Sequence, residues 1–379
     1  MRILIDVRLY GLENAGLGRY LVNLIGELAK LDSQNEYRLL LRRKYFNRLK
    51  LPKNFKKVLA DFRHYSLIEQ IKLPGVIAKQ APDIVHFPHF NVPILYSGKF
   101  VVTIHDLTMH RWRRDASILP LYLYVLKRGF YKLIFRKAVR QAARIIVPSK
   151  SVAREVIDYY RPDKGKIVIT YEGVDLRIAG EVSDSKTLSV LKKYPLKPKR
   201  HFIYAGNCYP HKNLGRAIEA IGEISRKSDQ GVQLVIASSR DVFLKRLEKI
   251  IDKLGARKYV KLLGFVPDED LGHLYKNSLA FVYPSFSEGF GLAGLEAIAA
   301  GTLVLASDIP VFREVYKKSV LYFNPYDFSA IESKMEEVLE MPPDVRQLQI
   351  GKAQKFIRRY SWTKLAKQTL KVYKEAIKD

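Results

Sequence analysis

Short apolar runs alternate with longer segments of helical periodicity along most of the chain. In the first half the runs are RILIDVRL, YRLLLR, DIVHF, FVVTIHD, RIIVPS and KIVITYEG. In the second half they are HFIYAGN, VQLVIAS, YVKLLGFV, LAFVYPS, TLVLASD and VLYFNP. Several are apolar throughout, as expected of parallel strands that are covered on both faces. The intervening segments, such as 214–224 and 242–254, have helical spacing, so the pattern predicts an α/β fold with parallel sheets.

The alternation weakens between about residues 175 and 200, where a polar segment ends in PLKPKR. We interpret this segment as the connection between two Rossmann-like domains, 1–175 and 176–358. A last helix is predicted from Thr363 to Lys378, within a C-terminal segment 359–379. Ligands of open parallel sheets bind outside the carboxyl ends of the strands, so the loops that follow strands are where chemistry is expected.

Composition narrows the class of protein. Hydrophobic residues make up 47% of the 379 residues, which is enough for two cores. No apolar run reaches the roughly 18 residues that a membrane span needs. The opening MRILIDVRLYG is typical of a first strand and not of a signal peptide. Cys208 is the single cysteine, so no intramolecular disulfide can form, which fits a reducing cytosol.

The charge is unusually positive, with 66 Lys and Arg against 38 Asp and Glu and a net charge of +28. Residues 1–170 hold 32 of the basic and 13 of the acidic side chains, so the first half is the strongly basic one. A basic surface favours partners that carry phosphate: nucleotides, anionic lipids or nucleic acid. Charge alone does not choose among them.

Two acids lie eight residues apart in SEGFGLAGLEAIAAG. Glu288 is in a glycine-rich loop after a predicted strand, and Glu296 falls about one turn into the helix that Gly301 closes. The helix N-terminus offers free N–H groups to an anion, and a carboxylate suits a vicinal diol such as a ribose. The alternative is a solvated loop Glu followed by a Glu that the helix dipole favours.

Two further segments follow strands in the first half. Gly16 and Gly18 form a glycine loop before an amphipathic helix, which is typical either of a phosphate-binding loop or of a plain tight turn; Leu21 stands where a dinucleotide fingerprint needs a third Gly. His105 follows the strand FVVTI, where it either binds a sugar hydroxyl, transfers a proton or has a structural role.

In the second half, YAGNCYPHKN places Gly206 at a strand end and Lys212 just before a helix. The ammonium of Lys212 could meet a phosphate there, and Asn213 is a plausible N-cap of that helix. His211 is either a phosphate donor or a surface residue. No close-set His, Cys and Asp cluster has the spacing of metal ligands.

Residues 111–144 contain ten Lys and Arg, one acid and interleaved aromatic residues, starting from Trp112. A basic, aromatic, amphipathic helix is typical of an interfacial membrane segment. The alternative is a domain helix with one buried and one solvated basic face. Nucleic acid is not expected as the partner, since no recognised binding motif is present.

These motifs together resemble the retaining glycosyltransferases of family 4, which have the GT-B fold. The segment EGFGLAGLE fits the E-x7-E pattern of that family, and PSFSEGFG and ASDIPVFREV beside it are also similar. AGLGRY resembles the N-terminal glycine loop, IHDL the segment with a sugar-contacting His, and YAGNCYPHKN the phosphate-contacting strand end. FVPDEDLGHLY resembles the base-binding region, and YSWTKLAKQTLKVYKEAI the C-terminal helix that crosses back to the first domain.

The resemblance implies two Rossmann-like domains whose parallel sheets face a central cleft. It also implies a catalytic set of Glu288, His105 and Lys212, in which Glu288 orients the transferred sugar, His105 contacts it and Lys212 neutralises the diphosphate. Glu296 would hold the ribose. The implied nucleotide-sugar site comprises the following residues: Gly16, Gly18, Gly206, Asn207, Lys212, Gly264, Val266, Phe290, Gly291, Leu292 and Glu296.

Two positions depart from the family pattern. Asn207 stands where many members carry an Arg five residues before the phosphate lysine, so charge compensation would fall more on Lys212, with help from the helix N-terminus or Arg216. Ala293 stands where Pro is common. With no evident metal site, we expect stabilisation of the leaving diphosphate by Lys212 and helix N–H groups, without a metal or other cofactor.

The expected activity is therefore the transfer of a hexose from a nucleotide-sugar, with retention of configuration. AGLGRY, PHFNVP and PHKN favour mannose from GDP-mannose, with a UDP-sugar as the alternative donor. The expected acceptor is a saccharide or lipid-linked saccharide, reached by a cytoplasmic protein bound peripherally to the anionic inner face of the cell membrane. The alternatives are a nucleotide-sugar epimerase, a phosphorylase on a similar frame, a sugar-binding protein without activity and a basic nucleic-acid-binding protein.

Overall fold

The computed structural model describes residues 1–111, 120–175, 178, 184–227, 231–239 and 242–378. The chain divides into two compact units. The first comprises Met1–Leu107, Ser117–Gly173 and Ser361–Asp379, and the second comprises Val174–Tyr360 with the described part of Thr108–Ala116. Each unit is built on one fully parallel sheet with helical crossovers, so the predicted α/β class with parallel sheets is confirmed.

The first unit contains a seven-stranded sheet in the order β3-β2-β1-β4-β5-β6-β7. Its strands are β1 Arg2–Asp6, β2 Glu36–Leu41, β3 Phe55–Leu59, β4 Ile84–Phe87, β5 Phe100–Thr103, β6 Arg144–Val147 and β7 Ile167–Ile169. The six apolar runs predicted in this half all form strands. The additional strand β3 has the sequence FKKVL, and its two lysines interrupt the apolar pattern because β3 is an edge strand that is only half-covered.

The second unit contains a six-stranded sheet in the order β10-β9-β8-β11-β12-β13. Its strands are β8 His201–Ala205, β9 Gln233–Ala237, β10 Val260–Gly264, β11 Phe281–Tyr283, β12 Val304–Ser307 and β13 Leu321–Phe323. All six predicted runs of this half form strands. The central strands β8, β11 and β12 are buried along their whole length, which explains why their sequences lack alternation.

Fifteen α-helices lie within the described residues. They are α1 Ala15–Leu31, α2 Arg43–Phe46, α3 Leu67–Ala78, α4 Thr108–Arg111, α5 Leu121–Gln141, α6 Lys150–Tyr160, α7 Asp184–Lys193, α8 Leu214–Lys227, α9 Val242–Lys253, α10 Asp268–Asn277, α11 Leu292–Ala299, α12 Pro310–Tyr316, α13 Phe328–Glu340, α14 Pro343–Ile357 and α15 Trp362–Lys378. In the first unit, α3, α5 and α6 share one buried cluster on one face of the sheet, with Leu73, Phe135 and Val152 among its members.

The polar segment 175–200 is more than a connection. It contains α7, which packs on α10 of the same unit. Thr187 is hydrogen-bonded to His273 Nδ1 at 2.9 Å, and Lys193 pairs with Asp270 at 2.7 Å. The helix was missed because its exposed face makes the segment polar on average.

The C-terminal helix α15 belongs to the first unit, where it packs against α1 and under β4 to β6. The hydroxyl of Tyr373 lies 2.6 Å from Nδ1 of the fully buried His86, and Thr363 donates to Glu27 at 2.6 Å. Gly173 packs closely against the first residue of α15: a Cβ on Gly173 would lie 2.2 Å from the backbone N of Trp362. Helix α15 is therefore part of the core of the first unit.

Candidate active site

The direction of chain progression reverses between β8 and β11 in the second sheet. From β8 the chain proceeds to β9 and β10 on one side, and from β11 to β12 and β13 on the other. Such a switch point opens a crevice outside the carboxyl ends of the two strands, where ligands bind in open α/β sheets. The loops after these two strands are the segments that contain Lys212 and Glu288.

The structure brings Lys212 and Glu288 together. Lys212 Nζ lies 2.6 Å from Glu288 Oε1, and both side chains are largely buried. The two loops are also joined through the backbone, since Phe286 N donates to His211 O at 2.8 Å. The lysine ends a 3-10 helix, Pro210–Lys212, that directly precedes α8. A cation and a carboxylate, 76 positions apart, are thus held at one point of the crevice.

Glu288 has a further donor that sequence reasoning missed. The fully buried Ser285 donates its Oγ–H to Glu288 Oε1 at 2.7 Å. Tyr283 is the last residue of β11, and burial followed by the nearby charge of Glu288 raises the pKa of its phenol well above the usual range. A carboxylate that is held by both a lysine and a serine is fixed in orientation and is a weak nucleophile. The only sequence signal was that both residues lie within VYPSFSE.

The N-terminus of α11 follows directly. Gly291 is its N-cap with φ 104°, a conformation that favours glycine, and Tyr316 donates its hydroxyl to Gly291 O at 2.5 Å. A Cβ on Gly294 would lie 2.3 Å from the same hydroxyl. Leu292 is the first helical residue, and the N–H groups of the first turn have no partner within the helix. Phe290 is buried and packs edge-on against Tyr360, so only its backbone is available to a ligand.

Glu296 lies in the second turn of α11 and is only 4% exposed. Burial, and then the charge of Glu288, raises the pKa of the Tyr316 hydroxyl well above the usual range, and the charge of Glu296 makes a smaller contribution. The two acids of the E-x7-E segment therefore lie around one tyrosine, but in different surroundings. Glu288 is paired with a lysine, and Glu296 is buried in a helix.

The loop after β8 carries the other predicted residues of this crevice. Gly206 follows the strand, and Asn207 accepts a hydrogen bond from Tyr204 through its backbone oxygen at 2.7 Å. Asn213 does not have the extended backbone of an N-cap: its φ is 57°, and its amide donates to Pro284 O and Pro325 O. Burial lowers the pKa of His211 to about 2, so this side chain is neutral and is not a cation for phosphate.

Gly264 and Val266 lie at the end of β10, two strands away from β8 in the sheet. Gly264 O accepts a hydrogen bond from Ser238 N at 3.0 Å, and Val266 is buried. Between them Phe265 is 60% exposed, an unusual exposure for an aromatic side chain at a strand end. These residues share the carboxyl edge of the sheet with the Lys212–Glu288 pair.

In the first unit, the prediction that Gly16 and Gly18 form a loop before a helix was wrong. Both glycines lie within the first turn of α1, and the loop is the preceding segment 7–14. Gly18 is needed for packing, because a Cβ there would lie 1.8 Å from Gly11 O. A Cβ added to Gly16 would meet no atom within 4 Å, so of the two glycines only Gly16 leaves room for a ligand beside it.

His105 follows β5 and is held through both ring nitrogens. Its Nδ1 lies 3.1 Å from Glu172 Oε1 and its Nε2 lies 3.0 Å from Pro88 O. The ring packs edge-on against Tyr20 of α1 at a centroid distance of 4.7 Å. Glu172, a buried residue after β7, was not among the residues selected from sequence. No local motif separates it from an ordinary loop glutamate.

The first sheet also has a switch point, between β1 and β4, and a small pocket lies there. The pocket is lined by Asp6, Leu9, Leu17, Leu21, His64, Phe87, Pro88, His89 and Asn91. Asp6 of this lining pairs with Arg8, whose side chain is fully buried between Asp6 and Glu69, with both contacts at 2.6 Å. Burial lowers the pKa of His64 to about 4 and that of His89 to about 3, so both rings are neutral hydrogen-bonding groups.

The basic segment predicted at 111–144 forms α5 from Leu121 to Gln141, whereas Trp112 lies outside the described residues. The buried residues of α5 lie in its C-terminal part, from Ile134 onwards. Its N-terminal part exposes a set of large apolar side chains: Leu121, Tyr122, Val125, Leu126, Phe130 and Leu133. Among the described residues, no helix combines the length and apolarity that crossing a membrane requires.

In the described part of the chain, no group of three or more His, Cys, Asp or Glu side chains is arranged to hold a metal ion. Lys212 and the first turn of α11 are the groups of this crevice that can face negative charge.

Comparison with known proteins agrees with the geometry. Residues 189–357 match the family model "Glycosyl transferases group 1", and residues 15–178 match "Glycosyltransferase Family 4". The chain is 25% identical over 374 residues to O-antigen chain mannosyltransferase B of Escherichia coli, covering 95% of this chain and 96% of that protein. It is 26% identical over 256 residues to O-antigen chain mannosyltransferase RfbU of Salmonella typhimurium, covering 67% of this chain and 64% of that protein.

Among solved structures, that of Anabaena Alr3699/HepE in complex with UDP and glucose superimposes with a TM-score of 0.76 at 16% identity, covering 99% of both chains. That likeness concerns the fold. The two parallel sheets and the E-x7-E segment at a switch point agree with the two family models, which together match most of the chain. The chain therefore belongs to the family 4 glycosyltransferases of the GT-B fold and is a glycosyltransferase.

Proposed function

We propose that the protein transfers mannose from GDP-mannose to a saccharide or lipid-linked saccharide acceptor, with retention of anomeric configuration. The observation that carries the proposal is the buried Lys212–Glu288 pair beside the N-terminus of α11, at the switch point of the second sheet. The choice of mannose is supported by the printed names of two relatives, both mannosyltransferases. A UDP-sugar is the alternative donor.

The donor would lie along the carboxyl edge of the second sheet. We place the diphosphate over β8 and β11, between Lys212 and the N–H groups that follow Gly291, with Asn207 as a neutral donor where relatives of this family commonly have Arg. Two strand spacings separate β8 from β10, about 10 Å. At that distance the base would lie near Gly264 and Val266, beside the exposed Phe265. Glu296 would hold the ribose.

The proposed chemistry needs charge stabilisation more than a nucleophile. When the glycosidic bond to phosphate breaks, the leaving diphosphate gains negative charge. The ammonium of Lys212 and the first-turn N–H groups of α11 face that charge without having to reorganise. Glu288, held by Lys212 and Ser285, would orient the sugar hydroxyls.

In the first unit, the acceptor is proposed to bind across the mouth of the pocket at the β1–β4 switch point, because the pocket itself is too small to hold a sugar ring. It combines the apolar walls of Leu17 and Leu21 with neutral His64 and His89. Asn91 adds an amide whose Oδ1 is buried and has no hydrogen-bond partner among the described residues. Neutral hydrogen-bonding groups over an apolar wall suit the hydroxyls and ring face of a saccharide.

Donor choice is tested by thermal shift with GDP, UDP, GDP-mannose and UDP-glucose. Because a ligand that binds only the native state raises stability by RT ln(1 + [L]/Kd), the cognate base should give the larger shift. We expect GDP to exceed UDP, and Glu296→Ala to remove the shift. The matched control is Glu332→Gln, another buried glutamate of the same unit. A larger shift with UDP would transfer the proposal to a UDP-sugar.

Activity is tested by release of GDP and by NMR of the product anomer, with and without EDTA. We expect an α-mannoside from the α-linked donor and full activity in EDTA. Donor alone should be hydrolysed at most slowly. Conversion of the donor to another nucleotide-sugar without acceptor would favour an epimerase, and an inverted anomer would contradict the proposed stereochemistry.

We further propose that the protein works peripherally at the cytoplasmic face of an anionic membrane. The supporting surface, here called the apolar-basic surface, consists of the exposed apolar residues of α5 together with Leu67, Ile68 and Ile71 of α3. Both helices begin at the carboxyl edge of the sheet and pack on the same face. Basic residues of α5 such as Lys127, Lys132 and Arg136 adjoin the apolar ones, as in interfacial helices.

Liposome flotation tests the membrane proposal. The wild-type chain should float with vesicles containing anionic lipid and less with neutral ones, and the double variant Val125→Gln/Leu126→Gln should float less. Leu348→Gln, which changes an equally exposed leucine on α14, is the control. Equal absence of binding to both vesicles would contradict the proposal. Tight binding to random duplexes at physiological salt would favour the nucleic-acid alternative.

A further inference from the structure

The surroundings of His105 determine its protonation. Both atoms that face its ring nitrogens are acceptors: a carboxylate oxygen of Glu172 and the carbonyl oxygen of Pro88. A neutral imidazole has one N–H and one lone pair, so one of the two contacts would be repulsive. Both contacts are satisfied when His105 carries two N–H groups.

The other titratable groups around His105 do not compete for this role. Tyr20 contributes a ring edge, and its pKa is raised by burial, so it is a neutral phenol. His86 and His89 are neutral, because burial and then the charge of His105 lower the pKa of each to about 3. Of these three histidines, His105 is the one with a carboxylate within hydrogen-bond distance of its ring.

We propose that Glu172 is a positioning residue that holds His105 as a doubly protonated imidazolium, so that His105 acts in sugar transfer through a fixed positive charge and not as a general base. This inference rests on the proposed function for the part that concerns transfer. The imidazolium has no lone pair with which to take a proton from an acceptor hydroxyl. Its ring is 19% exposed at the carboxyl edge of the first sheet, so its charge remains accessible to an anionic group.

The protonation state is tested first, without reference to activity. Nitrogen NMR of the histidine rings in the full chain at pH 7.5, assigned with His105→Gln, should show protons on both nitrogens of His105. In Glu172→Gln the same ring should show one protonated and one unprotonated nitrogen. A neutral His105 in the wild-type chain at pH 7.5 would overturn the inference, whatever the enzyme transfers.

The effect on transfer is tested by the pH dependence of kcat. A carboxylate beside an imidazolium stabilises its positive charge, so the effect of removing Glu172 should be larger at higher pH. The loss of kcat in Glu172→Gln relative to wild type should therefore grow by about tenfold between pH 6 and pH 8, with little change in KM for the donor. A loss that is the same at both values would assign Glu172 a structural role only and contradict the proposal.

A double-mutant cycle completes the test. If Glu172 acts through His105, adding Glu172→Gln to His105→Gln should cause little further loss of kcat, whereas independent roles would multiply the losses. Glu332→Gln, which removes a buried carboxylate of the second unit, should show no pH-dependent loss. If the wild-type chain releases no nucleoside diphosphate from any nucleotide-sugar, the proposed function fails, and the NMR result still decides the protonation of His105.

Discussion

Lys212 Nζ lies 2.6 Å from Glu288 Oε1, with the two side chains 12% and 10% exposed. A buried pair of this kind is costly to break on one side, because the remaining charge is left without compensation. The same lysine is proposed to face the leaving diphosphate. Removing Lys212 should therefore lower turnover far more than removing one partner of a surface ion pair would.

We predict that Lys212→Ala lowers kcat by about 10²- to 10³-fold, the effect of removing one group aimed at developing charge. Release of nucleoside diphosphate from the donor is the measurement. Lys193→Ala breaks the more exposed pair with Asp270 in the same unit and should leave kcat unchanged. Retention of most of the activity in Lys212→Ala would remove Lys212 from the catalytic set.

Gly294→Ala should destabilise the second unit by about 1–3 kcal/mol, because the new Cβ would meet the Tyr316 hydroxyl at 2.3 Å. Urea unfolding provides the measurement. Since the obstacle is one oxygen atom, Gly294→Ala should cost less in a Tyr316→Phe background than in the wild type. Gly351→Ala is the control: its Cβ position on α14 is open, so it should be neutral or stabilising by up to about 1 kcal/mol. Equal effects at both glycines would refute the packing argument.

The two glycines of AGLGRY should behave differently. Gly18→Ala should destabilise the fold strongly, because its Cβ would overlap the backbone oxygen of Gly11, which no side-chain rotation can relieve. Gly16→Ala should fold normally, since its Cβ would enter open space. Thermal unfolding and kcat/KM measured on both variants separate packing from ligand contact. A folded Gly16→Ala with weakened donor use would support a role for Gly16 at the ligand.

Acid should destabilise the first unit through His86. Burial lowers the pKa of His86 to about 3, so between about pH 3 and pH 6.5 the unfolded chain binds the proton and the folded chain does not. Stability is thus fully present above pH 6.5 and decreases as the pH falls. At pH 5 this effect of His86 lowers the free energy of unfolding by about 2 kcal/mol relative to its value above pH 6.5.

In His86→Gln the difference in unfolding free energy between pH 7.5 and pH 5 should shrink by about that amount, even though the variant is less stable at pH 7.5. Urea unfolding at the two pH values gives the measurement. An unchanged pH dependence would mean that His86 is protonated in the folded chain.

Much of the fold could be predicted because burial and local sequence agree. All twelve apolar runs form strands, and the final helix begins within one residue of its predicted start. The exceptions have physical causes. The strand β3 contains Lys56 and Lys57 because it lies at a sheet edge, and α7 lies in a polar segment because only one of its faces is covered.

The candidate site was predictable where chemistry is local. Glu288, Glu296 and Gly291 lie in one segment, so their spacing along the chain already indicates a loop followed by a helix. Ser285, Tyr283 and Glu172 were not found, because a serine, a tyrosine and a glutamate have no signature apart from their partners. Their roles depend on distances to residues elsewhere in the chain.

The sequence by itself determined the succession of strands and helices, the excess of positive charge in the first half and the motifs at the strand ends, because these follow from hydrophobic periodicity and residue type. Only the tertiary structure decided which strand ends are neighbours. Strand order placed β8 beside β11 and so brought Lys212 to Glu288, and it brought Glu172 to His105 across 67 positions. Long-range hydrogen bonds and ion pairs arise from chain crossovers, which no local pattern of residues records.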